Sequence, residues 1–298
     1  MKGVRLFQIA MLGMLVCGCS STPEEKIEPT LQIGWSAETT YNNKTIVLEY
    51  CRVPFNDNGL IIELEGLLYR QKGLSSYRGV VMTHGRNGPH PSRNSNELYG
   101  YRQLNCALAS EGCAVLYIVR RGYGNSEGRD SEYLRSAVDS GLAAAQDLKA
   151  GIEYLRKLEN VKPDGLIIMG HSQGGWAALA ASNLAIDGVI ATVNIAGGTN
   201  YSSMGDGSIT DEVQEAWRRG SSIIGKKALV PVIWIYAEND RNHPKYRAMA
   251  MFKAFYDAGG KGYLHILPAY GDNGHAVVQQ PSLFLDLIFT DIREIETK

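Results

Sequence analysis

The sequence lacks a charge excess of either sign and has few cysteines. Its 30 lysines and arginines nearly balance its 31 aspartates and glutamates, so the formal net charge is −1. Without a basic excess there is no electrostatic basis for binding nucleic acid. The 5 cysteines and 6 histidines do not recur at the spacing of a zinc site. Internal repeats and low-complexity tracts are also missing, so the sequence predicts neither a repeat protein nor a metal or other cofactor.

The longest apolar run lies near the N-terminus and is too short to cross a bilayer. It covers residues 6–16 and follows Lys2 and Arg5. A short basic segment followed by an apolar run of this length is typical of a secretory signal. The sequence therefore predicts export, with residues 1–18 as the signal peptide.

The end of this run resembles the lipobox of bacterial lipoproteins. Residues 16–19 are Val-Cys-Gly-Cys, and the resemblance implies that Cys19 is lipidated. Ser20 after it resembles the pattern of outer-membrane sorting. We therefore expect a lipid anchor at Cys19 that holds the protein in the bacterial cell envelope, at the outer membrane and facing the periplasm. An ordinary cleaved signal peptide is the alternative. Residues 19–42 begin with a polar segment and are predicted to form a flexible tether.

From residue 80 onward, short apolar runs alternate with amphipathic stretches. Most runs are rich in β-branched or aromatic residues and are bounded by turn residues, which is typical of buried strands. An antiparallel pair precedes them, joined around the turn at residues 56–59. This pattern predicts one domain, residues 43–298, with a mostly parallel, eight-stranded sheet flanked by helices. The predicted strands are residues 45–53, 60–69, 80–83, 114–119, 166–169, 189–195, 232–236 and 263–267.

The strongest local signal is the sequence Gly-His-Ser-Gln-Gly-Gly at residues 170–175. It lies between a predicted strand and a helical stretch, which is the context of a nucleophile elbow. In so tight a turn the glycines avoid collisions with neighbouring backbone, and Ser172 is pushed toward solvent as a nucleophile. The amide of Gln173 is left free at a helix N-terminus, where it can bind a developing oxyanion.

A nucleophilic serine needs a base, and the base needs an acid that orients it. After a nucleophile elbow these partners follow in the order acid, then histidine. Asp240 and His275 each follow a predicted strand, so both fall at the carboxyl edge of the sheet, where ligands bind in this class of fold. The sequence predicts Asp240 as the acid and His275 as the base, with Glu238 as the alternative acid. His243 either lines the pocket or faces solvent.

Two further loops resemble those of the α/β-hydrolase family. Residues 84–86, His-Gly-Arg, resemble the His-Gly-X turn of that family. The resemblance implies that the backbone amide of Arg86 is the second oxyanion donor and that His84 braces the loop. Residues 121–126, Arg-Gly-Tyr-Gly-Asn-Ser, resemble a second loop that is widespread in these enzymes. The α/β-hydrolase fold is therefore expected.

The C-terminal part resembles the dienelactone-hydrolase-like branch of the family, through residues 231–240 and the Gly-His pair at 274–275. Dienelactone hydrolase itself uses a cysteine nucleophile, whereas this chain has Ser172. The resemblance therefore implies a serine hydrolase whose partner is a small-molecule carboxylic ester. A peptidase of the prolyl-oligopeptidase type, a transacylase and a non-catalytic envelope lipoprotein on a hydrolase scaffold are the alternatives.

Two smaller features complete the sequence analysis. Residues 199–230 are predicted to be a short cap containing one amphipathic helix at 211–224, which favours a small acyl group. Cys106 and Cys113 flank a turn, and an oxidising periplasm would allow a disulfide between them. Whether they are bridged stays open, as does the oligomeric state.

Overall fold

A nine-stranded sheet runs through the part of the chain that this computed structural model describes, namely residues 32–86, 98–129, 136–198 and 211–298. The predicted signal peptide, Cys19 and residues 199–210 of the predicted cap lie outside the described residues. The strands are β1 Ser36–Tyr41, β2 Lys44–Asp57, β3 Leu60–Gln71, β4 Arg78–Thr83, β5 Cys113–Ile118, β6 Leu166–His171, β7 Val189–Ile195, β8 Val232–Ala237 and β9 Gly262–Leu267. The helices are α1 Arg102–Ser110, α2 Ala137–Leu155, α3 Gln173–Ala181, α4 Asp211–Gly225, α5 Lys245–Asp257 and α6 Leu285–Glu296.

The sheet is antiparallel at one end and parallel over the rest. Its strand order is β1-β2-β3-β5-β4-β6-β7-β8-β9. β1, β2, β3 and β5 pair antiparallel in that order, and every later pair is parallel. The carboxyl ends of β4, β6, β8 and β9 therefore meet at one edge, where the loops after these strands come together.

Helices cover both faces of the sheet because its strand residues alternate between two cores. Val80 packs in the core that includes α1 and α6, whereas the next residue, Val81, packs in the core that includes α2, α3, α4 and α5. The helical spacing over α2 is confirmed, and Ser136 begins that helix as an N-cap that accepts a hydrogen bond from the Asp139 amide at 3.0 Å. Among the described residues, no helix is long and apolar enough to span a bilayer.

The predicted tether, residues 19–42, is wrong at its end, because β1 lies inside it. β1 and β2 are joined by a tight turn at Asn42 and Asn43, whose φ angles of 46° and 61° are typical of a two-residue hairpin. The side chains of β1 alternate between exposed and half-buried, so the strand has little apolar pattern by which to recognise it. Because of this hairpin the sheet has nine strands rather than the predicted eight, and the domain begins before residue 43.

One expectation about β9 changes with the structure, and one open question about the cysteines receives an answer. β9 is the edge strand of the sheet, so most of its residues are half-buried rather than buried on both faces. The question of a disulfide between Cys106 and Cys113 is resolved, since both are buried free thiols, as is Cys51.

The loop after β5 is held by buried polar contacts, which explains its Arg-Gly-Tyr-Gly-Asn-Ser sequence. The Arg121 guanidinium forms an ion pair at 2.7 Å with Asp147 of α2. The Ser126 hydroxyl accepts from the Glu65 amide at 2.8 Å and donates to the Val119 carbonyl at 2.6 Å. The loop thereby ties β5 to α2 and β3 beneath the carboxyl edge of the sheet.

Candidate active site

The turn between β6 and α3 has the geometry predicted for residues 170–175. Ser172 lies between strand and helix with φ 55° and ψ −119°, a left-handed region that serine rarely adopts. A Cβ atom at Gly170 would lie 2.1 Å from the Gly174 carbonyl oxygen, so no residue other than glycine fits there. The strained turn places the half-buried serine side chain at the carboxyl edge of the sheet.

Ser172, His275 and Asp240 lie together, although they come from three different loops. The Ser172 Oγ is 3.0 Å from Nε2 of His275. On the other side of the ring, Nδ1 of His275 is 3.0 Å from Oδ2 of Asp240. An ionised carboxylate only accepts, so Nδ1 carries the proton and Nε2 is left to accept from the serine hydroxyl. This is the arrangement that serine activation requires.

Asp240 is held as a buried carboxylate by more than the histidine. Its other oxygen, Oδ1, accepts the backbone amides of Asn242 and His243, both at 2.8 Å. Burial alone would raise the pKa of Asp240, but the hydrogen bond and charge of His275 and the contacts of His243 outweigh it and lower the pKa. The acid therefore stays ionised beside the base.

Glu238, the alternative acid, does not reach the histidine. Its side chain is 53% exposed and pairs with Lys245. The hydrogen bond and charge of Lys245 lower the pKa of Glu238, so the carboxylate is already satisfied by a surface lysine. The geometry favours Asp240 in this position.

The loop at residues 84–86 is clamped from below by the buried side chain of Arg120. Its guanidinium donates to the carbonyl oxygens of His84 and Gly85 and to Thr83 Oγ1. His84 braces the same loop, because its Nδ1 donates to the Gly85 carbonyl at 2.6 Å and its Nε2 accepts from the Arg120 amide at 3.0 Å. Burial, together with the Arg120 charge, lowers the pKa of His84 well below its usual value.

This clamp determines where the loop amides point. In a trans peptide the carbonyl and the following N–H point in opposite directions, so the amides of Gly85 and Arg86 point away from Arg120. Gly85 packs against Ser172, since a Cβ atom on Gly85 would lie 3.0 Å from the serine Cβ. The amide of Gln173 is the first of α3 and has no acceptor within its own helix. The amide of Gln173 therefore lies next to the serine, and Gly85, the residue before the predicted donor Arg86, packs against it.

His243 does not face solvent, which was one of the two expectations for it. The side chain is buried, and its ring lies 5.4 Å from the His275 ring and 4.7 Å from the Trp217 indole of α4. Burial and the neighbouring His275 lower the pKa of His243 to about 3, so its ring is neutral. The predicted cap helix is present as α4, and Trp217 packs it against His243, which in turn lies beside His275.

Two residues at the site were missed from the sequence. His171, the residue before the serine, lies with its ring 4.8 Å from that of His275. Tyr101 contacts His171 from the other side, with ring centroids 5.3 Å apart. Burial and the neighbouring His275 lower the pKa of His171 to about 3. The elbow motif gives His171 no role of its own, and no motif indicates Tyr101.

Part of the chain is similar in sequence to a known family and to one curated protein. Residues 80–226 match the model of the Alpha/beta hydrolase family. The Quorum-quenching protein AidA of Acinetobacter baumannii (strain MDR-ZJ06) is 31% identical over 130 residues, which cover 44% of this chain and 38% of AidA. The alignment thus spans well under two thirds of that relative.

Solved structures share the fold over most of the chain. A putative dipeptidyl aminopeptidase IV from Bacteroides ovatus ATCC 8483 has a TM-score of 0.62 at 19% identity, covering 83% of this chain and 35% of that one. A putative dienelactone hydrolase from Klebsiella pneumoniae subsp. pneumoniae MGH 78578 has a TM-score of 0.55 at 14% identity, covering 83% and 99%. The predicted α/β-hydrolase fold is confirmed.

The buried histidines predict how stability depends on pH. The unfolded chain takes up a proton on each of His84, His171 and His243 below about pH 6.5, whereas the folded chain does not, so the free energy of unfolding should fall toward pH 4. Asp147 has the opposite effect on stability. Burial raises its pKa to about 6, so the folded chain binds one proton there at a pH where the unfolded chain does not. His243→Asn should reduce the slope of the free energy of unfolding against pH by up to about 1.4 kcal/mol per pH unit, measured by urea titrations at several pH values. If the free energy of unfolding depended on pH equally in the wild type and the variant, His243 would not be a buried neutral histidine.

Proposed function

We propose that this chain of the α/β-hydrolase fold is a serine hydrolase that cleaves small carboxylic esters through an acyl-enzyme intermediate. The observation that carries the proposal is the continuous pair of 3.0 Å hydrogen bonds from Ser172 through His275 to Asp240. The match to the Alpha/beta hydrolase family supports hydrolase chemistry, and the fold neighbours include proteins titled esterase, dienelactone hydrolase and peptidase.

Acylation follows from this geometry. His275 Nε2 accepts the proton of the Ser172 hydroxyl as Oγ attacks the ester carbonyl carbon. The carbonyl electron pair moves onto oxygen, where the amides of Gln173 and Arg86 stabilise the oxyanion. When the carbonyl re-forms, the C–O bond to the alcohol breaks and His275 returns the proton to the departing oxygen.

Deacylation repeats these steps with water in place of serine. His275 accepts a proton from water as the water oxygen attacks the acyl carbon, and the bond to Ser172 Oγ then breaks as the serine recovers its proton. In both halves Asp240 keeps Nδ1 protonated and stabilises the imidazolium. An alcohol that replaced the water would make the protein a transacylase, and analysis of the products would separate the two reactions.

A short acyl group is proposed because side chains fill the space between His275 and α4. Trp217 is fully buried against His243, and His243 packs against His275. The two rings occupy space that a long alkyl chain would need on that side. Anchoring in the cell envelope through Cys19 stays a prediction.

Ser172→Ala tests the nucleophile. The variant should lose about six orders of magnitude in kcat, down to the rate that binding and the oxyanion hole supply. A fluorophosphonate probe, which phosphonylates an activated serine, should label the wild-type protein at Ser172 and leave the variant unlabelled in intact-mass spectrometry. Labelling that persisted in the alanine variant would refute the assignment.

Asp240→Asn tests the acid against its neighbour. An amide would hold His275 in the wrong tautomer, so kcat should fall by roughly four orders of magnitude. Glu238→Gln is the matched control, because it makes the same change on a surface residue two positions away, and it should cost far less. If the two losses were reversed, the acid would be Glu238.

Acyl-chain length tests the substrate class. Each CH₂ of an acyl chain contributes about 0.8 kcal/mol of binding free energy only where apolar side chains bury it. We therefore expect kcat/KM on p-nitrophenyl esters to peak between acetate and butyrate and then fall. Trp217→Ala should move the optimum to longer chains, since it opens the side of the site next to α4. A wild-type preference for decanoate below its critical micelle concentration would overturn the small-ester proposal.

A further inference from the structure

Three hydrogen bonds connect the loop at Gly85 with the backbone of His275 on the opposite side of the serine. The Gly85 amide lies 3.1 Å from the Tyr101 hydroxyl. That hydroxyl lies 2.8 Å from Nδ1 of His171, and Nε2 of His171 lies 2.8 Å from the His275 carbonyl oxygen. We call these three contacts the Tyr101–His171 bridge. It joins an oxyanion loop to the base through the residue that precedes the nucleophile.

The chemistry of the end groups determines the direction of every bond in the bridge. A carbonyl oxygen only accepts, so Nε2 of His171 carries the proton. A neutral imidazole then has a bare Nδ1 that accepts, so the Tyr101 hydroxyl donates to it. The hydroxyl oxygen is left to accept from the Gly85 amide. Burial, followed by the effect of His275, lowers the pKa of His171 to about 3, which keeps the ring neutral as this pattern requires.

The backbone of Tyr101 is a second, independent observation. Its φ of 60° and ψ of 25° lie in the left-handed region, which a bulky aromatic residue rarely adopts. Glycine or asparagine would take this conformation more readily. A tyrosine in this position indicates that its side chain is needed where the strained backbone places it. That side chain reaches Gly85 and His171.

We propose that Tyr101 and His171 are positioning residues that set the distance between the oxyanion loop and the catalytic base. The bridge holds His275 by its carbonyl, while Asn273 Oδ1 accepts its amide at 3.1 Å. With both backbone groups fixed, the imidazole cannot drift away from Ser172. The hydroxyl of Tyr101 keeps His171 in the single tautomer that can donate to His275.

The bridge deepens the proposed function and rests on it, because a positioned base matters only if Ser172 is a nucleophile. A displacement of about 1 Å between reacting groups can cost about a hundredfold in rate. Loss of the bridge should therefore act on the rate of each intact active site and leave the number of active sites unchanged.

Tyr101→Phe removes the hydroxyl and keeps the aromatic ring. Active sites are first counted by stoichiometric fluorophosphonate labelling, and turnover of p-nitrophenyl butyrate is then expressed per labelled site. We expect kcat per site to fall by roughly 10- to 100-fold with KM within about twofold of wild type. Tyr69→Phe is the matched control, since it removes another buried tyrosine hydroxyl, on β3, outside the bridge, and it should leave kcat per site unchanged.

His171 variants and their combination with Tyr101→Phe test whether the two residues act as a unit. His171→Ala should lower kcat per site at least as much as Tyr101→Phe, and His171→Gln, whose amide can donate to the His275 carbonyl, should recover part of the loss. Nitrogen-15 NMR of the wild-type ring should show a neutral imidazole protonated at Nε2. In the double variant the losses should fall short of their product, because both break one bridge.

The outcomes separate this inference from the proposed function. If the wild-type protein neither binds the fluorophosphonate nor cleaves esters, the proposed function fails first. If the wild type is active but Tyr101→Phe matches Tyr69→Phe in kcat per site, the bridge does not position the base. Fewer labelled sites with an unchanged rate per site would also overturn the inference, because it would mean that Tyr101 only stabilises the fold. Fully multiplicative losses would show that Tyr101 and His171 act separately.

Discussion

The contact between the end of β6 and the start of α3 is the constraint on which the site depends. At Gly170 the two elements approach so closely that a Cβ atom would meet the Gly174 carbonyl oxygen, and a Cβ atom at Gly174 would meet the His84 carbonyl oxygen just after β4. This contact forces Ser172 into its left-handed conformation and brings the first amide of α3 beside the serine oxygen. The proposed nucleophile and one of its proposed oxyanion donors are thus placed by backbone packing alone.

The other groups of the site are held to this turn by buried polar contacts. Arg120 holds the loop at residues 84–86 beside the serine by donating to the carbonyl oxygens of His84 and Gly85, and Asp240 is oriented by two backbone amides of its own loop. Each functional loop is therefore fixed by hydrogen bonds before any substrate arrives. Such preorganisation is what lowers a reaction barrier, because few groups must move as charge develops.

The sequence predicts those parts of the site that lie in recognisable local motifs. The turn at residues 170–175 and the side chains at the ends of β8 and β9 were predictable, because tight turns and strand ends have their own residue preferences. Tyr101 and His171 were not, since their partners lie 70 and 104 positions apart and one of them is a backbone carbonyl. The pattern of β1 does not predict a strand, because its side chains are exposed or half-buried. The Asn42-Asn43 turn is the local sequence feature that indicates a hairpin there.

The three free cysteines in the described part of the chain give this protein an internal probe of its own unfolding. Burial raises the pKa of Cys51 and Cys113 to about 12 and that of Cys106 to about 11. The reactive thiolate is therefore almost absent in the folded chain and becomes available only when the cores open. The two cores contain different cysteines, Cys51 in one and Cys106 and Cys113 in the other. The order in which alkylating reagents reach these thiols would reveal which side of the sheet separates first.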